Sequence, residues 1–143
     1  MQYVPFYNAT RYLFYGDVTP KKNIIDNETT FKIETTLDHR KLLSAKIQNT
    51  EKTKDRIPVI ISYTDDITLS KYKYLCPPDM DLSGVIKNIR QHSSIDHMQT
   101  IYVLIHNKMM STNRSILNIY DNHRDEDGFL YITVATDNSF GSL

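Results

Sequence analysis

The stretch that decides the fold is Arg56-Ile57-Pro58-Val59-Ile60-Ile61-Ser62-Tyr63. Its β-branched residues predict a strand, and Pro58 indicates an edge or a bulge because proline has no backbone N–H. Residues 72–76 alternate in character and predict a second strand, which Pro77-Pro78 ends. We expect both strands to belong to one sheet with a helix packed across it.

The elements around this pair alternate between helix and strand. Asp81 is a suitable N-cap, and Leu82, Val85 and Ile89 follow it at the spacing of a core-facing helix. The predicted order is a helix at 35–49, strands at 56–63 and 72–76, a helix at 82–89, a strand at 101–105, a short helix at 115–120 and a strand at 129–134. This order predicts an α+β fold with a mixed sheet and a central packed helix, which matches the β-grasp order of ubiquitin with an extra N-terminal helical segment.

Local patterns add detail to the first helix and to one strand, and they predict two turns. In the first helix Leu37, Leu43 and Ile47 share one face, which leaves Arg40 on the polar side. The strand at 101–105 is mostly apolar and is predicted to be central. Residues 106–108 predict a turn, and residues 125–128 predict a charged, solvated turn.

Composition places the chain in one broad class. It has 143 residues, a formal net charge of zero and ordinary hydrophobic content, which suits one domain and does not favour nucleic acid as a partner. We expect residues 1–26 to form a partly disordered extension, 27–139 a ubiquitin-like domain with its N-terminal helix, and 140–143 a tail. The start of the chain is a poor secretory signal, and the single cysteine fits a reducing, cytoplasmic location.

Five segments carry a resemblance to a known family. They are Asp55-Arg-Ile-Pro-Val-Ile60, Lys73-Tyr-Leu-Cys-Pro77, Ile89-Arg90, Asp127-Gly-Phe-Leu-Tyr-Ile132 and Phe140-Gly141. In this order and at nearly this spacing, they resemble the autophagy ubiquitin-like modifiers of the GABA-A receptor-associated protein and microtubule-associated light chain three type. The resemblance runs from residue 55 to residue 143, is looser at 31–54 and does not include 1–26.

The resemblance implies that the protein is a conjugated modifier and not an enzyme. A processing cysteine protease would cut the Gly141-Ser142 bond behind Phe140, and activating and carrier enzymes would then link Gly141 to phosphatidylethanolamine. Glycine suits an extended tail that threads narrow active sites, and two acyl chains give stable anchoring to the autophagosome or a related vesicle. No cofactor is implied.

The resemblance also implies a peptide-binding groove along the predicted strand 72–76. Receptors with an aromatic-x-x-aliphatic motif would add a strand there. The aromatic pocket would be Ile47, Pro58, Ile60, Lys73, Leu75 and Phe129. The aliphatic pocket would be Tyr74, Cys76, Pro77, Met80, Val85 and Ile89. Arg56 and Lys71 would contact acidic residues of the partner, and plain core packing is the competing interpretation for each apolar residue.

Two departures and three alternatives remain open. Asn88 stands where the family has a leucine in the aliphatic pocket, and Gly128 stands where it has an aromatic residue. The alternatives are a peptide-binding module that is never conjugated, a protein-conjugated autophagy modifier, and a small enzyme that uses Cys76. Members of the protein-conjugated family usually end directly in Trp-Gly, whereas two residues follow Gly141 here.

Three further signals are weak. Cys76 lies in an apolar strand, so a buried hydrophobe is favoured over a nucleophile. The five histidines lack metal-ligand spacing, and no metal site is predicted. Tyr15-Gly16-Asp17-Val18 has the spacing of the partner motif and is a hypothetical internal occupant of the groove, although chance is favoured.

Overall fold

The computed structural model describes residues 27–63 and 72–136. Within these ranges the chain forms four α-helices and five β-strands. They are α1 (Asn27–Glu34), α2 (Leu37–Asn49), β1 (Ile57–Tyr63), β2 (Lys73–Cys76), α3 (Leu82–Gln91), β3 (Ile101–Ile105), β4 (Lys108–Met109), α4 (Ile116–His123) and β5 (Leu130–Thr136). The predicted mixed α+β architecture is confirmed.

The five strands form one mixed sheet in the order β2-β1-β5-β3-β4. Strand β5 runs parallel to β1, with Val59 opposite Leu130, and antiparallel to β3, with Val103 opposite Val134. The central strand is therefore β5, and the prediction of a central β3 is wrong. Strand β1 is buried along its whole length, whereas buried and half-buried residues alternate in β3.

Pro58 lies in β1 without interrupting the sheet. The antiparallel register with β2 is continuous and places Pro58 opposite Leu75. Pairing with β5 begins only at Val59. Pro58 thus occupies a position where β1 has a partner strand on one side alone, which is where a residue without an N–H is tolerated.

Alternating residues of β1 point to opposite faces of the sheet. Ile57, Val59, Ile61 and Tyr63 face α3 and α4, in a large apolar cluster that we call the α3-side core. Ile60 faces the other way, in a smaller set that we call the aromatic cluster. Its buried members are Phe31, Ile47, Ile60, Tyr72, Leu75, Phe129 and Tyr131.

Helix α3 begins as the sequence predicts. The Asp81 side chain accepts a hydrogen bond from the backbone N–H of Gly84 at 3.0 Å, which satisfies one of the free donors of the first turn. Gly84 is explained by a close approach, since a Cβ there would lie 2.8 Å from Cγ of Met80. This contact lets Met80 pack against the start of α3.

The N-terminal helical segment differs from the prediction of one helix at 35–49. Two helices are present, and Thr36 caps the second by accepting from the N–H of His39 at 3.2 Å. The first helix was missed because α1 has no clear apolar period. Phe31 is buried in α1, whereas Ile33 is 77% exposed.

Two residues that were assigned to solvated positions are buried. Arg40 is 7% exposed and Asp127 is 1% exposed, so α2 does not keep Arg40 on an open polar face and the 125–128 turn is not wholly solvated. Arg40 Nε donates to Asp127 Oδ2 at 2.9 Å. The pair is buried because each charge neutralises the other.

The predicted turn at 106–108 is shorter than expected. His106 and Asn107 have φ values of 52° and 64° and connect β3 to β4, in which Lys108 pairs with Ile105. Two successive residues with positive φ are typical of a tight hairpin turn. Lys108 therefore belongs to a strand.

Candidate functional site

Strand β2 separates the two predicted pockets. In the part of the chain that the structure describes, it is one of the two edge strands of the sheet. Leu75 belongs to the aromatic cluster, whereas Tyr74 and Cys76 belong to the α3-side core. Successive side chains of one short strand therefore contribute to opposite faces of the sheet.

The structure brings the residues of the predicted aromatic pocket together. Ile47, Ile60, Leu75 and Phe129 all lie in the aromatic cluster, and none is more than 1% exposed. Pro58 is also buried and lies opposite Leu75. These side chains lie together beneath this face of the sheet and are also part of the buried core.

Sequence reasoning missed one prominent member of this face. The ring of Phe31, from α1, meets the ring of Phe129 nearly edge-on, with centroids 5.3 Å apart. Edge-to-face pairs of this kind add to the stability that burial provides. Only the loose match at 31–54 covered Phe31, and no apolar period marked it.

Lys73 lies at the rim of the aromatic cluster. It is half-buried, and its Nζ lies 5.3 Å from the ring centroid of Phe31 and 5.4 Å from that of Tyr72. Burial lowers the pKa of Lys73, and the nearby charge of Glu34 acts in the opposite direction. Lys73 thus places a cation beside aromatic rings at the edge of the fold.

The residues of the predicted aliphatic pocket lie together on the other face. Tyr74, Cys76, Met80, Val85 and Ile89 all belong to the α3-side core, between β2 and α3. Pro77, directly after β2, is also buried. Every member of this set is thus buried, so the competing interpretation of plain packing applies to each of them as well.

Arg56 and Cys76 lie near the end of β2. Burial raises the pKa of the Cys76 thiol well above its ordinary value, and the charge of Arg56 acts against this rise. A buried thiol with a raised pKa is a poor nucleophile. Arg56 is half-buried, and within the described residues its Nη1 is buried without a hydrogen-bond partner.

A cleft of about 540 Å³ adjoins this end of the strand. Arg56 and Pro78 contribute to its wall, together with Lys54, Tyr120 and Asp121. Its lining carries both charge signs, unlike the apolar sets on either side of β2. It is a neighbouring feature and does not coincide with either predicted pocket.

A buried polar network fixes the helices that cover the aromatic cluster. Beyond its ion pair with Arg40, Asp127 accepts from the N–H of Phe129 at 2.8 Å and from the hydroxyl of Tyr131. Ser44 Oγ donates to the backbone carbonyl of Asp127 at 2.6 Å. The network holds α2 against the start of β5 and thereby positions Ile47 over the sheet.

Several predicted features lie outside the described residues. They are Phe140, Gly141 and the Gly141-Ser142 bond, Lys71, and the extension at 1–26 with its Tyr15–Val18 motif. In the ranges that are described, no helix has the length and apolarity to cross a bilayer, and no group of side chains is arranged to hold a metal ion.

The fold is that of a ubiquitin-like protein with added helices. This follows from the order of the strands in the sheet, from the helix across one face and from the two N-terminal helices on the other face. Comparison with known proteins agrees. Residues 39–141 match the family model described as autophagy protein Atg8 ubiquitin like. The chain belongs to the Atg8 family.

Individual relatives support this assignment. An autophagy-related protein 8-like protein of Dictyostelium discoideum is 38% identical over 119 residues, which cover 78% of this chain and 93% of the relative. Autophagy-related protein 8A of Oryza sativa subsp. indica is 38% identical over 117 residues, covering 80% and 97%. The crystal structure of Trypanosoma brucei ATG8 aligns with a TM-score of 0.69 at 25% identity, covering 75% of this chain and 93% of that one.

The family defines the general role. The chain is a ubiquitin-like modifier of autophagy, and conjugation to lipid is the function of its family. Membership also connects it with the autophagy machinery and with autophagosomes.

Proposed function

We propose that Gly141 is the residue that becomes joined to phosphatidylethanolamine, after a cysteine protease cuts the Gly141-Ser142 bond. The family match ends at residue 141, which supports this position. Phe140 precedes the glycine as an aromatic residue for the processing enzymes to bind. Activating and carrier enzymes would supply the chemistry, and the chain itself would be their substrate and not an enzyme.

The groove beside β2 would bind receptors with an aromatic-x-x-aliphatic motif. In an extended peptide, side chains at positions i and i+3 point to opposite faces of the sheet that the peptide joins. The single observation that carries this proposal is that the two predicted sets lie on opposite faces, one on each side of β2. A peptide added along β2 would therefore direct its two anchors toward the two sets.

The direction of the peptide follows from the order of the sets along the chain. The aromatic set includes Lys73 and Leu75, which lie in β2. The aliphatic set includes Pro77 and Met80, which follow β2 in the chain. A peptide parallel to β2 would place its aromatic residue first and its aliphatic residue further along. Arg56, Lys71 and Lys73 would then attract acidic residues of the partner.

Processing is tested by incubating the full chain with lysate that contains the family protease and measuring intact mass. The expected result is loss of Ser142 and Leu143, with resistance in Gly141→Ala and normal cutting in Ser142→Ala. A full-length mass that persists beside a processed relative contradicts conjugation. The groove alone would then make the chain an unconjugated binding module.

Lipid attachment needs a second measurement. Protein that ends at Gly141 is incubated with the activating and carrier enzymes, ATP and vesicles containing phosphatidylethanolamine. The expected product floats with the vesicles and carries the added lipid mass. Transfer to a protein in place of lipid would instead identify the protein-conjugated alternative.

Peptide binding is tested by calorimetry with an aromatic-x-x-Leu peptide. Lys73→Ala should weaken binding by about three- to tenfold, because an interaction at the rim of a pocket contributes on the order of 1 kcal/mol. Lys87→Ala, an exposed cation on α3, is the matched control and should leave affinity unchanged. Equal effects of the two variants would rule out the groove beside β2.

A further inference from the structure

One buried amide stands out on α3. Within the described residues, three buried side-chain polar atoms lack a hydrogen-bond partner, namely Arg56 Nη1, Asn88 Nδ2 and Thr136 Oγ1. Asn88 is only 4% exposed, and it lies on α3, the helix that faces the predicted aliphatic pocket. Unpartnered donors of this kind are rare in folded proteins and need an explanation.

The position of Asn88 connects it with that pocket. The buried residues of α3 are Leu82, Val85, Asn88 and Ile89. Residues three apart are neighbours on a helix surface, so Asn88 lies next to Val85 and directly precedes Ile89. Both neighbours belong to the proposed aliphatic set, so the amide shares their stripe of the helix.

The amide is costly where it lies. A buried donor without an acceptor loses its hydrogen bonds to water and gains none in return. An apolar side chain of similar size would fill the same position without this cost. Asn88 therefore makes sense if something from outside the fold supplies an acceptor.

We propose that Asn88 makes the second pocket selective for a partner side chain that carries a hydrogen-bond-accepting oxygen. The occupant is an extended peptide with an aromatic residue and, three positions later, glutamine in place of leucine, isoleucine or valine. The amide of Asn88 donates to the glutamine side-chain oxygen, the methylene groups of the glutamine pack beside Val85 and Ile89, and its own NH2 group stays in contact with water. This inference rests on the proposed groove and specifies what it prefers.

The test compares three peptides that differ only at the fourth position of the motif, as leucine, methionine or glutamine. Methionine matches glutamine in length and lacks the oxygen. The wild-type chain should bind the glutamine peptide about tenfold more tightly than the methionine peptide, the size expected when one buried donor gains its acceptor. Asn88→Leu should reverse this order.

Two controls separate recognition from folding. Asn88→Leu should unfold at a higher urea concentration than the wild type, because the uncompensated donor is gone, so loss of glutamine binding cannot be attributed to unfolding. Asn49→Leu makes the same change at an exposed position on α2 and should leave the ratio of the two affinities unaltered.

The outcomes are distinct. If the wild type binds the leucine and methionine peptides as well as the glutamine peptide, or if Asn88→Leu leaves the ratio unchanged, the inference is wrong and the groove stands. If no peptide binds to either protein, the groove itself is wrong and the inference fails with it.

Discussion

The two faces of the sheet are closed in different ways. The α3-side core is closed by apolar packing beneath α3 and α4, and among the described residues one buried amide on α3 lacks a partner. The aromatic cluster is smaller, and α1 and α2 are held over it by a buried ion pair between Arg40 and Asp127. The large core is held together by apolar packing. Over the smaller cluster, the ion pair helps to fix the positions of the two helices.

The largest expected effect comes from breaking that ion pair. Asp127→Ala leaves the Arg40 charge buried without its partner and removes the acceptor of Phe129 N–H, which should cost about 3–5 kcal/mol of unfolding free energy. Urea unfolding measures this as a lower midpoint. The control is Asp125→Ala, which breaks the more exposed pair with Lys32 and should cost no more than about 1 kcal/mol. Equal losses would mean that the aromatic cluster is held by packing alone.

Gly128→Ala should have the next largest effect. Gly128 has a φ of 91°, a backbone conformation that residues with a side chain rarely adopt. In addition, a Cβ at this position would lie 2.8 Å from Cβ of Ser44. We expect a loss of about 1–3 kcal/mol, measured by the same unfolding method. The same Gly128→Ala change made in a Ser44→Gly background should cost less, because the clash is absent there while the backbone strain remains. An equal cost in both backgrounds would assign the whole loss to the backbone.

Neighbouring residues of β1 allow the two faces to be compared directly. Ile60 and Ile61 are both no more than 1% exposed but lie in different clusters. Ile60→Val and Ile61→Val should each cost about 0.5–1.5 kcal/mol. Only Ile60→Val should weaken binding of an aromatic-x-x-aliphatic peptide, because only Ile60 faces the proposed aromatic pocket. Equal changes in affinity would mean that the peptide does not distinguish the faces.

The smallest effect is a dependence on pH at the edge of the aromatic cluster. Burial acts to raise the pKa of Asp125, but hydrogen bonds from Lys32 and from the N–H of Asp127 outweigh it, so the net pKa is lowered. A lowered pKa in the folded chain gives stability that is complete above the unfolded pKa of about 3.9 and is lost as pH falls through the folded value.

Asp125→Asn removes this contribution. The expected difference in unfolding free energy from the wild type is about 0.2–1 kcal/mol at pH 7, and it should shrink as the solution is acidified below about pH 4. Glu126→Gln, at the exposed neighbour, controls for the loss of one negative charge. A difference that stays constant down to pH 2 would mean that the Lys32 pair does not stabilise the fold.

Local sequence patterns predicted most of the fold because they report local physics. The apolar run in β1, the spacing in α3 and the cap at Asp81 each depend on neighbours within a few residues. Helix α1 was missed because Phe31 is its only described buried side chain, which gives no period to detect. The place of β3 in the sheet was wrong because strand order depends on pairing and not on hydrophobicity.

The candidate site was likewise predicted from the sequence only in part. The membership of the two pockets came from the resemblance, and the alternation of β2 was visible in the sequence. Their placement on opposite faces required the sheet, since it depends on how β1, β2 and β5 align. The missing partner of Asn88 could not be predicted, because a hydrogen bond that is absent leaves no trace in sequence.

By itself, the sequence determined the order of the main helices and strands, the N-cap of α3 and the family to which five motifs point. Only the tertiary structure decided that Arg40 and Asp127 are buried together, that Phe31 packs on Phe129, and that β2 stands between two separate clusters. The reason is distance along the chain. Arg40 and Asp127 are 87 residues apart in the sequence, so their contact depends on the packing of the whole domain. A helix cap or the apolar pattern of a strand depends only on residues a few positions away.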